Sequence, residues 1–272
     1  MARFKVYVSD YDYPDLAIER AVLEPLGAEV IGLQCRTGEG LAELAADADA
    51  ILQQYARIGR ETIAKLGRCK AICRYGIGVD IVDVKAAYEH GMVVTNVPDY
   101  CLDEVADHTI ALAFALIRRL PQYAQATREG RWHWSAGGGP VHRMRGMVWG
   151  MVGFGRIAQN VARKLPAFGV RLLAHDPHVS AGYMATFGVA KVGLDELLER
   201  SRLLCVLCPY TPETHHLIDR ERLARMRPGA VLVNTTRGKI VDNAALQACR
   251  RIAAENARAV LLGEPPPNPV RP

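Results

Sequence analysis

The sequence lacks an apolar run long enough to cross a bilayer. Its longest, TIALAFALI from Thr109 to Ile117, falls well short of the ~20 residues that a spanning helix needs. A secretory leader is not expected either. The opening MARFKVYVSD runs straight into a strand pattern, without the apolar core and small-residue cleavage site of such a leader. Cysteine is scarce. Its seven copies are an odd number, set mostly in apolar runs such as LLCVLC, which suits buried thiols in a reducing compartment and not a disulfide framework. Basic residues are not gathered into a patch: 34 stand against 29 acidic ones, for a net charge of +5, in short pairs such as Arg118-Arg119 and Arg250-Arg251. This scatter argues against nucleic acid as a partner and leaves a small anionic ligand as the milder explanation. No metal site is expected. The reading is a cytoplasmic chain with neither membrane nor nucleic acid as partner.

What is present is a folded α/β pattern. Half of the 272 residues are hydrophobic and 23% are charged, the balance of a chain with room for one large core or two modest ones. Strand patterns fall at 5–10, 28–33, 50–55, 70–76 and 92–98, with helical patterns between them. A long helical pattern, EVADHTIALAFALIRRLPQYAQATREG, follows, and Pro121 should kink or interrupt it. The Gly-rich stretch 131–146 reads as a connection. A second series then has strands near 147–152, 170–175, 202–208 and 230–235. Strand and helix in turn give parallel sheets. The fold class expected is α/β, with two Rossmann-like or flavodoxin-like parallel-sheet domains.

The chemistry starts at VGFGRIAQNVARK. Gly153-x-Gly155-x-x-Ala158 lies where a strand must turn into a helix. The first glycine permits the tight turn, the second admits a pyrophosphate to the backbone, and Ala158 allows close helix–strand packing. Asp176 ends the next strand, where it can accept hydrogen bonds from an adenosine ribose, and its charge favours NAD over NADP. A glycine turn alone would be weak, and it could belong to an ordinary α/β domain. The strand before it, the helix after it and the acid beyond give it weight.

Beyond that turn the chain resembles the NAD-dependent D-isomer-specific 2-hydroxyacid dehydrogenases. The blocks that carry the likeness are ICRYGIGVD (72–80), GMVVTNVPDYCLDEVADHTIAL (91–112), VGFGRIAQNVARKLPAFGVRLLAHDP (152–177), the run from Cys208 to Leu246, and AAENARAVLLGEPPPNPV (253–270). The resemblance implies a substrate domain over 1–115, completed by a C-terminal helix over 250–272, and an NAD-binding domain over 116–249. It implies cofactor contacts from Gly153, Gly155, Arg156, Ile157, Ala158, Asp176, Cys208, Pro209, Thr235 and Thr236. The loop Tyr75, Gly76, Ile77 and Gly78 would hold a substrate carboxylate with its amides, although taken alone it is a plain β–α turn. Arg237 would clamp the carboxylate and carbonyl oxygen of a small acid. A homodimer built partly on the long helix is also implied.

The sequence also departs from that family. Ile81 stands for its Asn, and Leu207 for its His two residues before Pro209. After Leu246 the block with the Glu that orients the catalytic base, and the block with the His that is the acid–base, are both missing, about fifty to sixty residues by connection and element size. Glu264 lies in the tail and is no substitute. Loss of that segment would truncate the nucleotide sheet and leave AVLVNT as a bare apolar edge in need of cover. Three readings stay open. One is an enzyme with a replaced proton-transfer group, for which Tyr100, His133 and Lys239 are candidates, with His142, Tyr75 and Tyr210 behind them. For each of these a solvated or packing role is the plainer reading. The others are a catalytically inactive NAD-binding homologue with a structural or sensing role, and a shortened product of an ordinary dehydrogenase.

Overall fold

A computed structural model describes residues 2–244, and its contacts divide the chain into two compact units, one up to Tyr100 and one from Cys101 on. The first unit alternates β1 (Phe4–Val8), α1 (Ala17–Leu23), β2 (Ala28–Gly32), α2 (Gly38–Leu44), β3 (Ala50–Gln53), α3 (Arg60–Lys65), β4 (Ala71–Arg74), α4 (Val84–Glu89) and β5 (Val93–Thr95). Its strands form one five-stranded sheet in the order β2-β1-β3-β4-β5, parallel throughout. Side-chain caps start its helices where the sequence offers them: Thr37 accepts from the Gly40 amide at 3.3 Å and Asp83 from the Ala86 amide at 2.8 Å. Such caps satisfy amides that have no partner within the helix.

The second unit opens with α5 (Leu102–Ile117) and α6 (Leu120–Arg128), then β6 (Val148–Val152), α7 (Arg156–Lys164), β7 (Arg171–His175), α8 (Ala181–Ala185), β8 (Val189–Lys191), α9 (Leu194–Arg200), β9 (Leu203–Val206), α10 (Arg220–Arg225) and β10 (Val231–Asn234). Its parallel sheet runs β10-β9-β6-β7-β8. The order reverses between β6 and β9, the switch point where open α/β sheets bind ligands. Two tandem parallel-sheet units are therefore present, as the alternating pattern requires. The expected helix over 250–272 lies outside the described residues.

The long helical pattern is interrupted close to Pro121, as its sequence leads one to expect. It forms two helices: Arg119 adopts a left-handed conformation at φ 56° and Pro121 enters the first turn of α6. Proline has no N–H to lose there. The Arg119 guanidinium donates to the Gly137 carbonyl at 2.7 Å, a bond that helps hold this unfavourable backbone. The division between units, in contrast, falls after Tyr100, not between 115 and 116. The cause is packing: Ala106, Ala113 and Ile117 of α5 share one core with Trp149, Phe154 and Ala162.

That core is close-packed. Trp149 is fully buried and meets Phe114 edge to face at 6.0 Å. Cys205 and Cys208 have the spacing of a redox or metal pair, yet β9 alternates its side chains, and the two fall in different cores on opposite sides of the sheet. Burial pushes the Cys208 thiol up to about 11. Among the described residues no group of three or more ligands could hold a metal, and no helix is long and apolar enough to cross a membrane. The expected bare apolar edge is milder than the sequence suggests. Among the described residues β10 pairs only with β9, but Val231 and Leu232 are half-buried and Val233 is buried.

Gly150 in β6 gives a direct test of this packing. A Cβ there would lie 2.1 Å from the Ser201 hydroxyl and 3.0 Å from a Leu204 methyl. Gly150→Ala is expected to lower stability by about 1–3 kcal/mol, measured by calorimetry. The double variant with Ser201→Gly should recover part of the loss, and full stability of the single variant would contradict the packing described.

Candidate functional site

The carboxyl ends of four neighbouring parallel strands gather most of the residues singled out in the sequence. Gly153 follows β6, Asp176 follows β7, Cys208 follows β9, and Thr235 follows β10. Gly153 has φ +91°, and a Cβ there would sit 2.7 Å from both Cα and N of Cys208. Only glycine fits, on two counts: its left-handed backbone and the approach of β9. Gly155 caps α7 with no side chain, and nothing lies within 4 Å of where its Cβ would be. Space is therefore open beside the start of this nine-residue helix, whose first amides are the kind of donors that receive a phosphate. Arg156 is exposed beside them and Ile157 is half-buried. Ala158 is fully buried in the core.

Asp176 braces the glycine turn. One carboxylate oxygen accepts from the Phe154 amide at 2.8 Å, and the other from the His178 amide at 2.8 Å. Each oxygen keeps further acceptor capacity, so hydroxyls of a ribose can be added without breaking either bond. These residues fit a dinucleotide.

The turn after β10 is held by a residue that the sequence reading passed over. Asn234 accepts from the Thr236 amide at 3.0 Å and the Thr236 hydroxyl at 2.8 Å. Its own amide group donates to the Arg237 carbonyl at 2.9 Å. The backbone that carries Arg237 is thus pinned on both sides of Thr236. A second missed residue is Thr109. It is fully buried, and its hydroxyl donates to the Val105 carbonyl at 2.7 Å. The 2.8 Å contact with the Thr235 hydroxyl therefore uses the Thr235 proton. The signal was a threonine on the buried stripe of Ala106, Ala113 and Ile117. Pro209 is exposed.

The loop from Tyr75 to Gly78 lies wholly in the first unit. The Tyr75 amide donates to the Gln53 carbonyl at 2.8 Å and the Gly76 amide to the Arg74 carbonyl at 3.0 Å. The amides of Ile77 and Gly78 donate to no described group. Gly76 has φ +149°, a backbone that other residues rarely adopt. The Tyr75 side chain is engaged elsewhere: its hydroxyl donates to Glu19 at 2.9 Å, and its ring meets Tyr13 edge to face. Burial and the Glu19 carboxylate push its pKa well above the usual tyrosine value.

The proton-transfer candidates are dispersed. Nδ1 of His133 accepts from the Ser135 amide at 3.3 Å and lies 2.7 Å from the Ser135 hydroxyl, so His133 serves its own turn. Lys239 is exposed, and its carbonyl accepts from the His216 amide. The Tyr210 hydroxyl lies 3.1 Å from Nδ1 of His215. Tyr100 is 62% exposed. The His142 ring contacts Arg202, and burial with that positive charge lowers its pKa.

Residues 110–268 match the NAD binding domain of the D-isomer specific 2-hydroxyacid dehydrogenases. The chain belongs to this family. It is 40% identical over 201 residues to D-3-phosphoglycerate dehydrogenase of Mycobacterium tuberculosis, covering 74% of this chain and 38% of that protein. With the Methanocaldococcus jannaschii protein of the same name it is 34% identical over 266 residues, covering 97% of this chain and 50% of that one. It thus spans half or less of the length of these relatives. Among solved structures, the TT0316 protein of Thermus thermophilus is similar with a TM-score of 0.78 at 30% identity, covering 98% of this chain and 100% of that one. D-lactate dehydrogenase of Aquifex aeolicus, complexed with NAD and lactic acid, gives a TM-score of 0.82 at 28% identity over 91% of this chain and 73% of that one. NAD is the cofactor of the matched domain.

Asp176→Ala is expected to weaken NADH binding by ~10–100-fold, the value of hydrogen bonds to a charged acceptor, read by NADH fluorescence titration. Equal binding by variant and parent, or a preference of the parent for NADPH, would contradict this account of Asp176.

Proposed function

We propose that the chain is an NAD(H)-dependent oxidoreductase that moves a hydride between the nicotinamide and C2 of a small 2-hydroxy or 2-keto acid, with weakened acid–base catalysis. The observation that carries this reading is the position of Arg237. It follows β10 on the same edge of the sheet as the glycine turn, on a backbone that Asn234 pins. A guanidinium there can take a carboxylate in a bidentate pair and polarise the adjacent carbonyl. Gly153, Gly155 and Ala158 admit the pyrophosphate, with Arg156 beside it, and Asp176 takes the ribose. Ile157, Cys208, Pro209, Thr235 and Thr236 line the cofactor. In the first unit, the Ile77 and Gly78 amides hold a carboxylate, in a turn shaped by Tyr75 and Gly76.

Reduction of a keto acid requires hydride at C2 and a proton on its oxygen. The bound dinucleotide supplies the hydride. Arg237 orients the acid, but a guanidinium is a poor proton donor, so it delivers no proton. The family's Glu–His pair has no counterpart between Leu246 and Ala253 in this sequence. General acid–base catalysis is worth ~10²–10⁴-fold, and turnover is slowed by that order. The second reading, a catalytically inactive NAD-binding homologue with a structural or sensing role, draws on the local engagement of His133 and Tyr210.

NADH oxidation with pyruvate, glyoxylate and hydroxypyruvate tests the proposal. Slow but acid-dependent turnover is expected, and Arg237→Lys should weaken acid binding ~10-fold or more while leaving NADH affinity unchanged. Turnover of tens per second in the parent would sink the claim of weakened catalysis. Acid binding indifferent to the substitution would remove the clamp and favour the second reading.

The chain also forms a homodimer in this proposal. Leu112 and Leu116 stand one turn apart on the exposed side of α5, and Leu120, Trp132 and Trp134 are exposed in the same unit, the tryptophans at 88% and 81%. Gathered into one patch, such side chains would form an association surface. Sedimentation at micromolar protein should give twice 29.9 kDa, and Leu116→Arg should shift it towards that single mass. A parent mass of 29.9 kDa at every concentration would refute the dimer.

A further inference from the structure

The two amides of the loop after β4 that donate to no described group owe their direction to the segment after β5. The Val97 amide donates to the Gly76 carbonyl at 3.1 Å, and the Asn96 side-chain amide donates to the Ile77 carbonyl at 2.8 Å. No described peptide is cis, and in a trans peptide the carbonyl and the following N–H point in opposite directions. Fixing the Gly76 carbonyl towards Val97 therefore turns the Ile77 N–H away from that segment. Fixing the Ile77 carbonyl towards Asn96 does the same for the Gly78 N–H. A third plane is held as well, because the Arg74 guanidinium donates to the Gly78 carbonyl. It also reaches the Gln53 side chain at 3.2 Å. Successive amides turned to one side form a concavity that favours an anion. The carbonyls that would repel the anion are all occupied by donors.

We infer that Asn96 is a positioning residue for carboxylate recognition: its side chain holds the Ile77–Gly78 peptide so that the Gly78 amide faces the acid. The inference rests on the proposed acid-binding role of this loop and adds a residue outside the loop. Asn96 does not touch the ligand. Its side-chain amide is the donor that a carboxylate of the same shape cannot replace. The Val97 N–H fixes the neighbouring plane through the backbone, which no side-chain exchange at 97 removes except proline.

The test uses the whole chain saturated with NADH and titrated with oxamate, a planar analogue of a 2-keto acid. Asn96→Asp keeps the size of the side chain, removes the donor and adds a negative charge beside the nest. Asn96→Ala removes the donor alone. For Asn96→Ala, oxamate affinity should fall about 3- to 10-fold, the worth of one net hydrogen bond, and further for Asn96→Asp. NADH affinity should stay within about twofold, a margin too small to represent loss of one such bond. In the parent, the amide resonances of Ile77 and Gly78 should move on addition of oxamate. Unchanged oxamate affinity in both variants would overturn the role of Asn96 while leaving the acid site standing. Parallel losses of oxamate and NADH affinity would mark general loosening and overturn it too. No oxamate binding by the parent would bring down the acid-binding reading and this inference with it.

Discussion

The nucleotide unit is organised around the approach of β9 to the turn after β6. With 2.7 Å between the Cys208 backbone and the place of a Gly153 Cβ, no side chain can enter. That closeness has consequences in three directions. It lets β6 and β9 pair to their ends, with the Leu207 amide on the Val152 carbonyl at 2.8 Å. It forces the chain through a left-handed residue into α7. It also aims the Phe154 amide at Asp176, so the acid proposed to take the ribose also supports the glycine turn.

A similar economy holds on the other side of the sheet. Thr235 and Thr109 exchange a hydrogen bond in a region with no water access for Thr109, and Asn234 closes the turn that follows. Buried hydroxyls need partners, since an unpaired one carries a desolvation penalty of about 1–3 kcal/mol. The helix that begins the unit is thereby joined by polar bonding to the strand that ends its described sheet. The bond adds to the shared apolar core that keeps α5 with the nucleotide unit although it follows directly on the first.

Much of this was legible in the residues. Strand–helix alternation and the glycine turn followed by Asp176 specify parallel α/β units with a nucleotide edge, because turn, helix start and acid must fall at fixed places on one strand pair. Other features were not legible. An interruption near Pro121 was legible but its place at Arg119 was not, since arginine seldom takes a left-handed backbone and the Gly137 contact that helps hold it cannot be read from the sequence. Asn96, Asn234 and Thr109 look like ordinary polar residues until the structure shows which carbonyl or hydroxyl each meets. Periodicity reports which side of an element is buried; it does not report long-range hydrogen-bond partners.

The placement of aromatic residues gives the two units different optical identities. All three tryptophans lie beyond residue 130, while most of the ten tyrosines precede residue 101. Trp149 is sealed in the core of the second unit, and Trp132 and Trp134 stand almost fully in solvent. Tryptophan emission thus reports on the second unit alone, with a buried and a wet population, and tyrosine emission is weighted to the first. A two-unit chain need not melt in one step. In this one, the order in which the units come apart can be followed by colour, without a label.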